Sequence, residues 1–545
     1  MNNNYFLNKI ATNACWQKNY FGFSLFHIWL FGIFILSIVL SCALIPLIPV
    51  ANGVGWDGGV YYGILQSLCK GELGRGAEPY YFLRIGSILH LYPIEKAFNN
   101  TQITLGIARL FSSVLAVSGI VLAVAASYKI YDCLSSEENS IIKMNSILRR
   151  RSDFNSLELS RLLIVVASVS TFAVFTMPTF YPVLSDHLAI FISGLSLYIW
   201  HLNNKTAINL TLALICFLSL FIMPSLFLIP SFLMIFPRKE IGNLQNTTNF
   251  KNAKILPVLA NSNVAWFWTS LLTSIILVTF IFSILSSLNL HIQRTSMYQT
   301  APGIPELRFV SMLLILLITA LYPFIFFRRF RNVICSINII KLVFSFLLLG
   351  LFFIIYSSFA TNKAGFQGPN LINNLAQQSL SSPISSFPAV FSYFGPVGII
   401  GIYSAMFGRF KNVCNHGSNN FDAIAALSMI FIFFLLIGNE TRQFICVLPL
   451  LVYLTCLEMD GADIKLLIFI LIYSISLLFI GHPMDINLSS AITQKMDAMA
   501  YPWQSYFGRQ GPWMSTTSRL LWSSLLIIFL IGYEVIKNTK NPIRK

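Results

Sequence analysis

Apolar runs of roughly 18 to 25 residues recur from one end of this chain to the other, each long enough to cross a bilayer as a helix. They fall near 24–47, 105–130, 162–179, 184–201, 265–290, 309–327, 337–358, 389–407, 421–438, 443–458, 464–481 and 518–536. In lipid every backbone polar group needs an internal partner, which leaves helices or closed barrels. The runs are continuous rather than alternating, so they read as helices. A further run, 206–236, is too long for one straight span and short for two. Met223-Pro224 interrupts it, and a proline removes a helical hydrogen bond, so a hairpin of two short helices turning at Pro224 is expected. The fold class that follows is all-α: a polytopic transmembrane bundle of about 12–14 helices. Charged residues make up 10% of the 545, against about 25% in soluble domains, which excludes a water-soluble globule. The whole of 1–545 reads as a single transmembrane domain.

Charge orients the bundle. The net charge of +16 would point to nucleic acid on a soluble protein, but here the basic residues cluster in alternate loops, so nucleic acid is not expected as a partner. Lys9 and Lys18, Lys143 with Arg149, Arg150 and Arg151, Arg238 with Lys239, Arg328 with Arg329, Arg409 with Lys411, and the tail from Lys537 to Lys545 fall on one side. That side is the cytoplasm by the positive-inside rule, which gives a multi-pass inner-membrane protein of bacterial type with both termini cytoplasmic. The first span is too long for the apolar core of a signal peptide and lacks a small-residue cleavage site. The nine cysteines lie mostly in or beside spans and form neither a disulfide framework nor a metal-ligand spacing. The inner segment 131–161 is polar and basic and reads as a solvated linker. The chain shows no internal repeat, which argues against an inverted-repeat transporter.

Two segments assigned to the outside are long: 48–104, expected to carry juxtamembrane helices, and 483–517. Long loops between otherwise short connections are where function gathers. The first begins Trp56-Asp57-Gly58-Gly59-Val60-Tyr61-Tyr62 and continues through Pro79-Tyr80-Tyr81-Phe82-Leu83-Arg84. A carboxylate at the bilayer edge is expensive without a task, which makes Asp57 a candidate catalytic base; the alternative is a helix cap. Residues 60–69 suit an amphipathic helix lying on the membrane. Tyr61, Tyr80 and Tyr81 read either as walls of a substrate site or as an aromatic belt. Arg84 offers paired donors to a phosphate, or to a lipid headgroup.

A second acid, Asp186, follows Ser185 and precedes His187 at the outer start of a span, on the same membrane face as Asp57. Two carboxylates there would share an acceptor or a proton; the alternative is an N-terminal cap, and for His187 a structural partnership. Gly438-Asn439-Glu440-Thr441-Arg442-Gln443-Phe444 forms a tight outer turn. An arginine so close to hydrocarbon needs an anion, and Glu440 is the nearest in sequence, with a lipid phosphate as the other choice. Arg509, among Trp503, Tyr506 and Trp513, is a weaker candidate for the same site. No glycine-rich nucleotide loop or zinc-type cluster is present. An enzyme working outside the cytoplasm lacks free nucleotide-sugars and needs a lipid-borne donor.

Together these pieces resemble the GT-C superfamily of membrane glycosyltransferases, which use polyprenyl-phosphate-linked sugars. The resemblance places Asp57 at the family's catalytic acid and Asp186 at the second acid of members related to the aminoarabinose and protein O-mannosyl transferases. It sets Arg84 near a basic residue used on the donor phosphate. Glu440-Thr441-Arg442-Gln443-Phe444 with Pro449 is similar to the Glu-x-Arg-Phe…Pro turn of GPI-type mannosyltransferases, with Gln443 intervening. Many members carry paired acids in the first loop, where this chain has Asp57-Gly58. The resemblance implies catalysis by Asp57 and Asp186 and donor-phosphate binding by Arg84 and Arg442. It implies substrate contacts from Tyr61, Tyr80, Tyr81, His187, Glu440 and Arg509. The implied partners are a polyprenyl-phosphate-linked sugar donor and membrane lipids. A divalent cation stays open as a cofactor, and so does the oligomeric state. Two other readings compete: a flippase, which needs charges along the middle of its spans, and an O-antigen polymerase or ligase, which relies on basic residues of a large late loop.

Overall fold

A computed structural model describes residues 25–48, 51–72, 84–137, 145–202, 205–236, 263–287, 304–360, 385–408, 418–437, 441–460, 462–480, 509, 514 and 516–538. No strand occurs among them. Among the described residues, six helices are long and apolar enough to span a membrane, or seven if the bent pair Leu157–Val169 and Phe172–Phe180 counts as one span; seven more apolar helices are shorter, at 10–17 residues. The chain is therefore a multi-pass helical membrane protein.

The helices, in chain order, are α1 (Leu25–Leu44), α2 (Trp56–Cys69), α3 (Tyr92–Phe98), α4 (Thr101–Glu137), α5 (Asn145–Val169) and α6 (Asp186–Trp200). There follow α7 (Lys205–Leu220), α8 (Leu228–Ile235), α9 (Asn263–Ser287), α10 (Ile304–Cys335) and α11 (Ile339–Ala360). The last are α12 (Ser386–Phe407), α13 (Ser418–Ile437), α14 (Leu448–Glu458), α15 (Ile464–Phe479) and α16 (Thr516–Asn538). Of the segment 131–161 read as a solvated linker, residues through Glu137 close α4 and those from Asn145 open α5, and its end is buried at Glu158, Ser160 and Arg161. The run broken at Pro224 divides as expected, into α7, a 3-10 turn at Pro224–Phe227, and α8 packed back against α7.

Burial separates the centre from the edge. The apolar windows of α12 and of the span Thr441–Glu458, which ends in α14, are 83% buried, against 11% for α1 and 22% for α16. At the periphery Phe31, Leu36, Ile340, Phe346, Leu347, Leu520 and Ile531 point outward, an apolar surface far larger than a soluble monomer presents and suited to lipid. Helix α4 crosses α6 at close range. Here Gly119 and Gly194 face each other so tightly that a Cβ on Gly194 would lie 2.1 Å from the Gly119 carbonyl oxygen. Small residues permit such approach between membrane helices, and this crossing holds the start of α6, with Asp186, against α4.

Candidate active site

Asp57 is the second residue of α2, whose N-cap is Gly55, so it sits one step inside the helix rather than at the capping position. Its charge there suits the positive end of the helix dipole. The start of α2 is fixed by Tyr181: the Gly58 N–H donates to Tyr181 Oη at 2.8 Å, and the Tyr181 ring fills the space where side chains at positions 55 and 58 would project. The same segment is tied to the end of α1 through the Ile48 N–H, which donates to the Phe180 carbonyl at 2.9 Å. Five residues beyond Tyr181 comes Asp186, the first residue of α6, with Ser185 at the N-cap making no side-chain capping bond.

Across from α2 lies the 3-10 segment Thr441–Val447, which packs on α6. Its Arg442 Nη2 stands 3.3 Å from Asp57 Oδ2, joining residues 385 apart in sequence. Glu440, the nearest acid in sequence, lies outside the described residues; among those described, the carboxylate that meets Arg442 comes from the start of α2. The guanidinium is 10% exposed and the carboxylate 42%, so the pair forms the floor and lip of an open edge, and solvent leaves it a net worth of about 1 kcal/mol. Arg84 joins the same locus. Its Nη2 donates to Gln443 Oε1 at 3.3 Å, and Ser225 Oγ donates to the Gln443 carbonyl at 2.7 Å. Gly86 N–H donates to the Phe221 carbonyl at 2.9 Å, which seats the Arg84 turn on the end of α7. One buried guanidinium thus meets the half-exposed carboxylate, and a second is held on the neighbouring Gln443.

Other candidates sit elsewhere. Tyr61 is buried in the core, since α2 packs into the protein along that face instead of lying open on the membrane. His187 is buried, its Nε2 3.4 Å from Ser112 Oγ and its ring edge-on to His90. His90 stacks on Phe111 with both ring nitrogens buried and without hydrogen bonds, and burial pushes its pKa down to about 4. Arg509 is interior: it donates to the Ser392 and Ile480 carbonyls at 3.0 and 2.7 Å and lies between the Phe172 and Trp522 rings. Tyr80, Tyr81 and Glu440 lie outside the described residues, as does most of 483–517. Among the described residues no three His, Cys, Asp or Glu side chains gather to hold a metal ion.

Arg509 belongs to a pattern that sets Arg442 and Arg84 apart. Arg109 donates to the Cys42 and Ile45 carbonyls at the end of α1. Arg161 donates to Cys456 near the end of α14. Arg329 donates to Ser404, Met406 and Gly408 at the end of α12, and Arg509 to Ile480, the C-cap of α15. The last carbonyls of a helix lack intrahelical partners and carry the negative end of its dipole, and lipid offers no water to satisfy them. These four arginines supply the missing donors. Arg442 and Arg84 reach side chains at the rim instead.

Residues not singled out from sequence complete the locus: Tyr181, Gln443 and Ser225. Gly55 and Gly58, which flank Asp57, were the available signal for a close neighbour. No family model, curated protein or solved structure matches this chain.

Proposed function

We propose that this protein is a GT-C-type membrane glycosyltransferase that moves a sugar from a polyprenyl-phosphate donor to an acceptor hydroxyl at the extracytoplasmic face. The observation that carries the reading is the Asp57–Arg442 pair, with Arg84 held on the neighbouring Gln443. Asp57 takes the proton of the acceptor hydroxyl as its oxygen bonds to the anomeric carbon. The bond from that carbon to the phosphate oxygen breaks, and polyprenyl phosphate leaves with its charge held by Arg442 and Arg84. The shorter apolar helices complete a bundle of about 12–14 spans in a bacterial inner membrane, with both termini cytoplasmic.

The arginines of the spans favour this over a flippase. Arg109, Arg161 and Arg329 are engaged with helix ends, not strung along a path. Arg509, the late-loop residue on which a polymerase-like reading leans, is likewise engaged inside the bundle.

The test is Asp57→Asn in membranes carrying the full chain, supplied with labelled polyprenyl-phosphate sugars. Loss of a general base lowers transfer by about 100-fold or more while the protein stays folded. Wild-type turnover in that variant overturns the assignment.

A further inference from the structure

Glu95 is a buried acid of the first outer loop that the reaction above does not use. It lies on α3 and is 2% exposed. Its Oε2 accepts two short hydrogen bonds, from Tyr62 Oη at 2.7 Å and from Thr104 Oγ1 at 2.6 Å. Tyr62 Oη also lies 3.1 Å from Thr101 Oγ1. Tyr62 is on α2 with Asp57; Thr101 and Thr104 are on α4. One carboxylate therefore ties the Asp57 helix to the bundle. Burial, with Glu95 adding to it, pushes the Tyr62 phenol up to about 12, so it stays a donor at any working pH.

Geometry gives the tie a consequence. Tyr62 follows Asp57 by five residues, which puts the two side chains roughly 140° apart around α2. Asp57 faces Arg442 on one side while Tyr62 faces Glu95 on the other. A carboxylate about 5 Å from a helix axis moves about 2 Å when the helix rolls by about 20°, enough to break the 3.3 Å contact with Arg442. A misplacement of about 1 Å is enough to lower a rate about 100-fold.

We propose that Glu95 is a positioning residue: through Tyr62 it sets the rotation of α2 and so holds Asp57 against Arg442. The proposal rests on Asp57 being the working carboxylate, and its test needs no sugar. Full-length protein in nanodiscs is treated with a water-soluble carbodiimide and glycine ethyl ester, and modification of Asp57 is followed by peptide mass spectrometry. Arg442→Gln sets the rate for an unguarded Asp57. Tyr62→Phe, which removes one hydroxyl, and Glu95→Gln are expected to raise Asp57 modification several-fold toward that rate. Unchanged modification in Tyr62→Phe, with a lowered melting temperature, overturns the proposal and leaves Glu95 as a structural tie alone. Should Glu95→Gln fail to fold, Tyr62→Phe decides. Labelling that rises in Tyr62→Phe when the wild-type protein itself shows no sugar transfer would sink the transferase reading and spare this one.

Discussion

Gly58→Ala is the sharpest test of how the rim is built, because the same helix carries its own control. A Cβ at position 58 would lie 2.8 Å from Tyr181 Cε2 and 3.4 Å from Val54 Cγ1. Carbon atoms pack best at about 3.5–4.0 Å, so the ring or the helix must give way. Tyr181 is 2% exposed and has no room to retreat without leaving the Gly58 N–H it accepts at 2.8 Å. Overpacking costs about 1–3 kcal/mol and the lost hydrogen bond about 1 more. Alanine's preference for helix returns up to about 1 kcal/mol. The net is a loss of about 1–3 kcal/mol. At Gly63, on the same helix, an added Cβ meets nothing within 4 Å, so Gly63→Ala keeps only the propensity gain of about 0.5–1 kcal/mol. The two substitutions, chemically identical and five residues apart, should move the unfolding midpoint in detergent in opposite directions. Equal shifts of one sign would refute the Tyr181 packing and with it the account of how α2 is seated. The same contact explains why a second acid does not follow Asp57: a side chain at position 58 would displace Tyr181.

Three further outcomes follow from particular contacts. Arg509→Met strips donors from two buried carbonyls and should destabilise the protein by about 3 kcal/mol in thermal unfolding, while Asp57 keeps its reactivity toward carbodiimide. His90 is neutral when folded down to about pH 4, whereas the exposed imidazole of the unfolded chain protonates near 6.5. Stability is thus steady above pH 6.5 and falls as pH drops from 6.5 toward 4, by up to about 3 kcal/mol, and His90→Leu should flatten that slope in a pH series of unfolding curves. Arg442→Gln should weaken retention of a polyprenyl-phosphate donor in a competition-binding assay, and Arg109→Gln should leave retention unchanged at equal folded protein.

The scaffold was legible because hydropathy is local. Each apolar run announces its own helix, and Pro224 announces a break wherever neighbours can absorb the freed backbone groups. The rim was legible only as a set of parts. Asp57, Arg84 and Arg442 each stand out as polar groups at an apolar boundary, but nothing in the turn around residue 440 says that Arg442 meets a carboxylate 385 residues away. That pairing depends on how the first loop folds back, which Tyr181, Glu95 and Gln443 decide through long-range contacts. The burial of Tyr61 was illegible for a related reason: aromatic residues near a membrane boundary serve an interface or a core, and only packing chooses.

The arginines make the distinction sharpest. From sequence, Arg109 looked like a charge inside a span and Arg509 like a ligand-binding residue in an outer loop. Both donate to the ends of helices α1 and α15, where a missing partner has no water to replace it. A cation near the membrane thus has two physical uses, to complete a helix or to meet an anion. The geometry that separates them is whether its donors reach backbone carbonyls in the last turn of a helix or a side chain at the rim. Arg442, on Asp57, and Arg84, on Gln443, fall in the second group. A phosphate arriving at the rim would compete with side chains that can rotate away, whereas at Arg109 or Arg509 it would have to unseat a helix end. That difference in reorganisation is why the proposed donor binding is assigned to Arg442 and Arg84, and why substitutions in the two groups should separate cleanly into effects on binding and effects on stability.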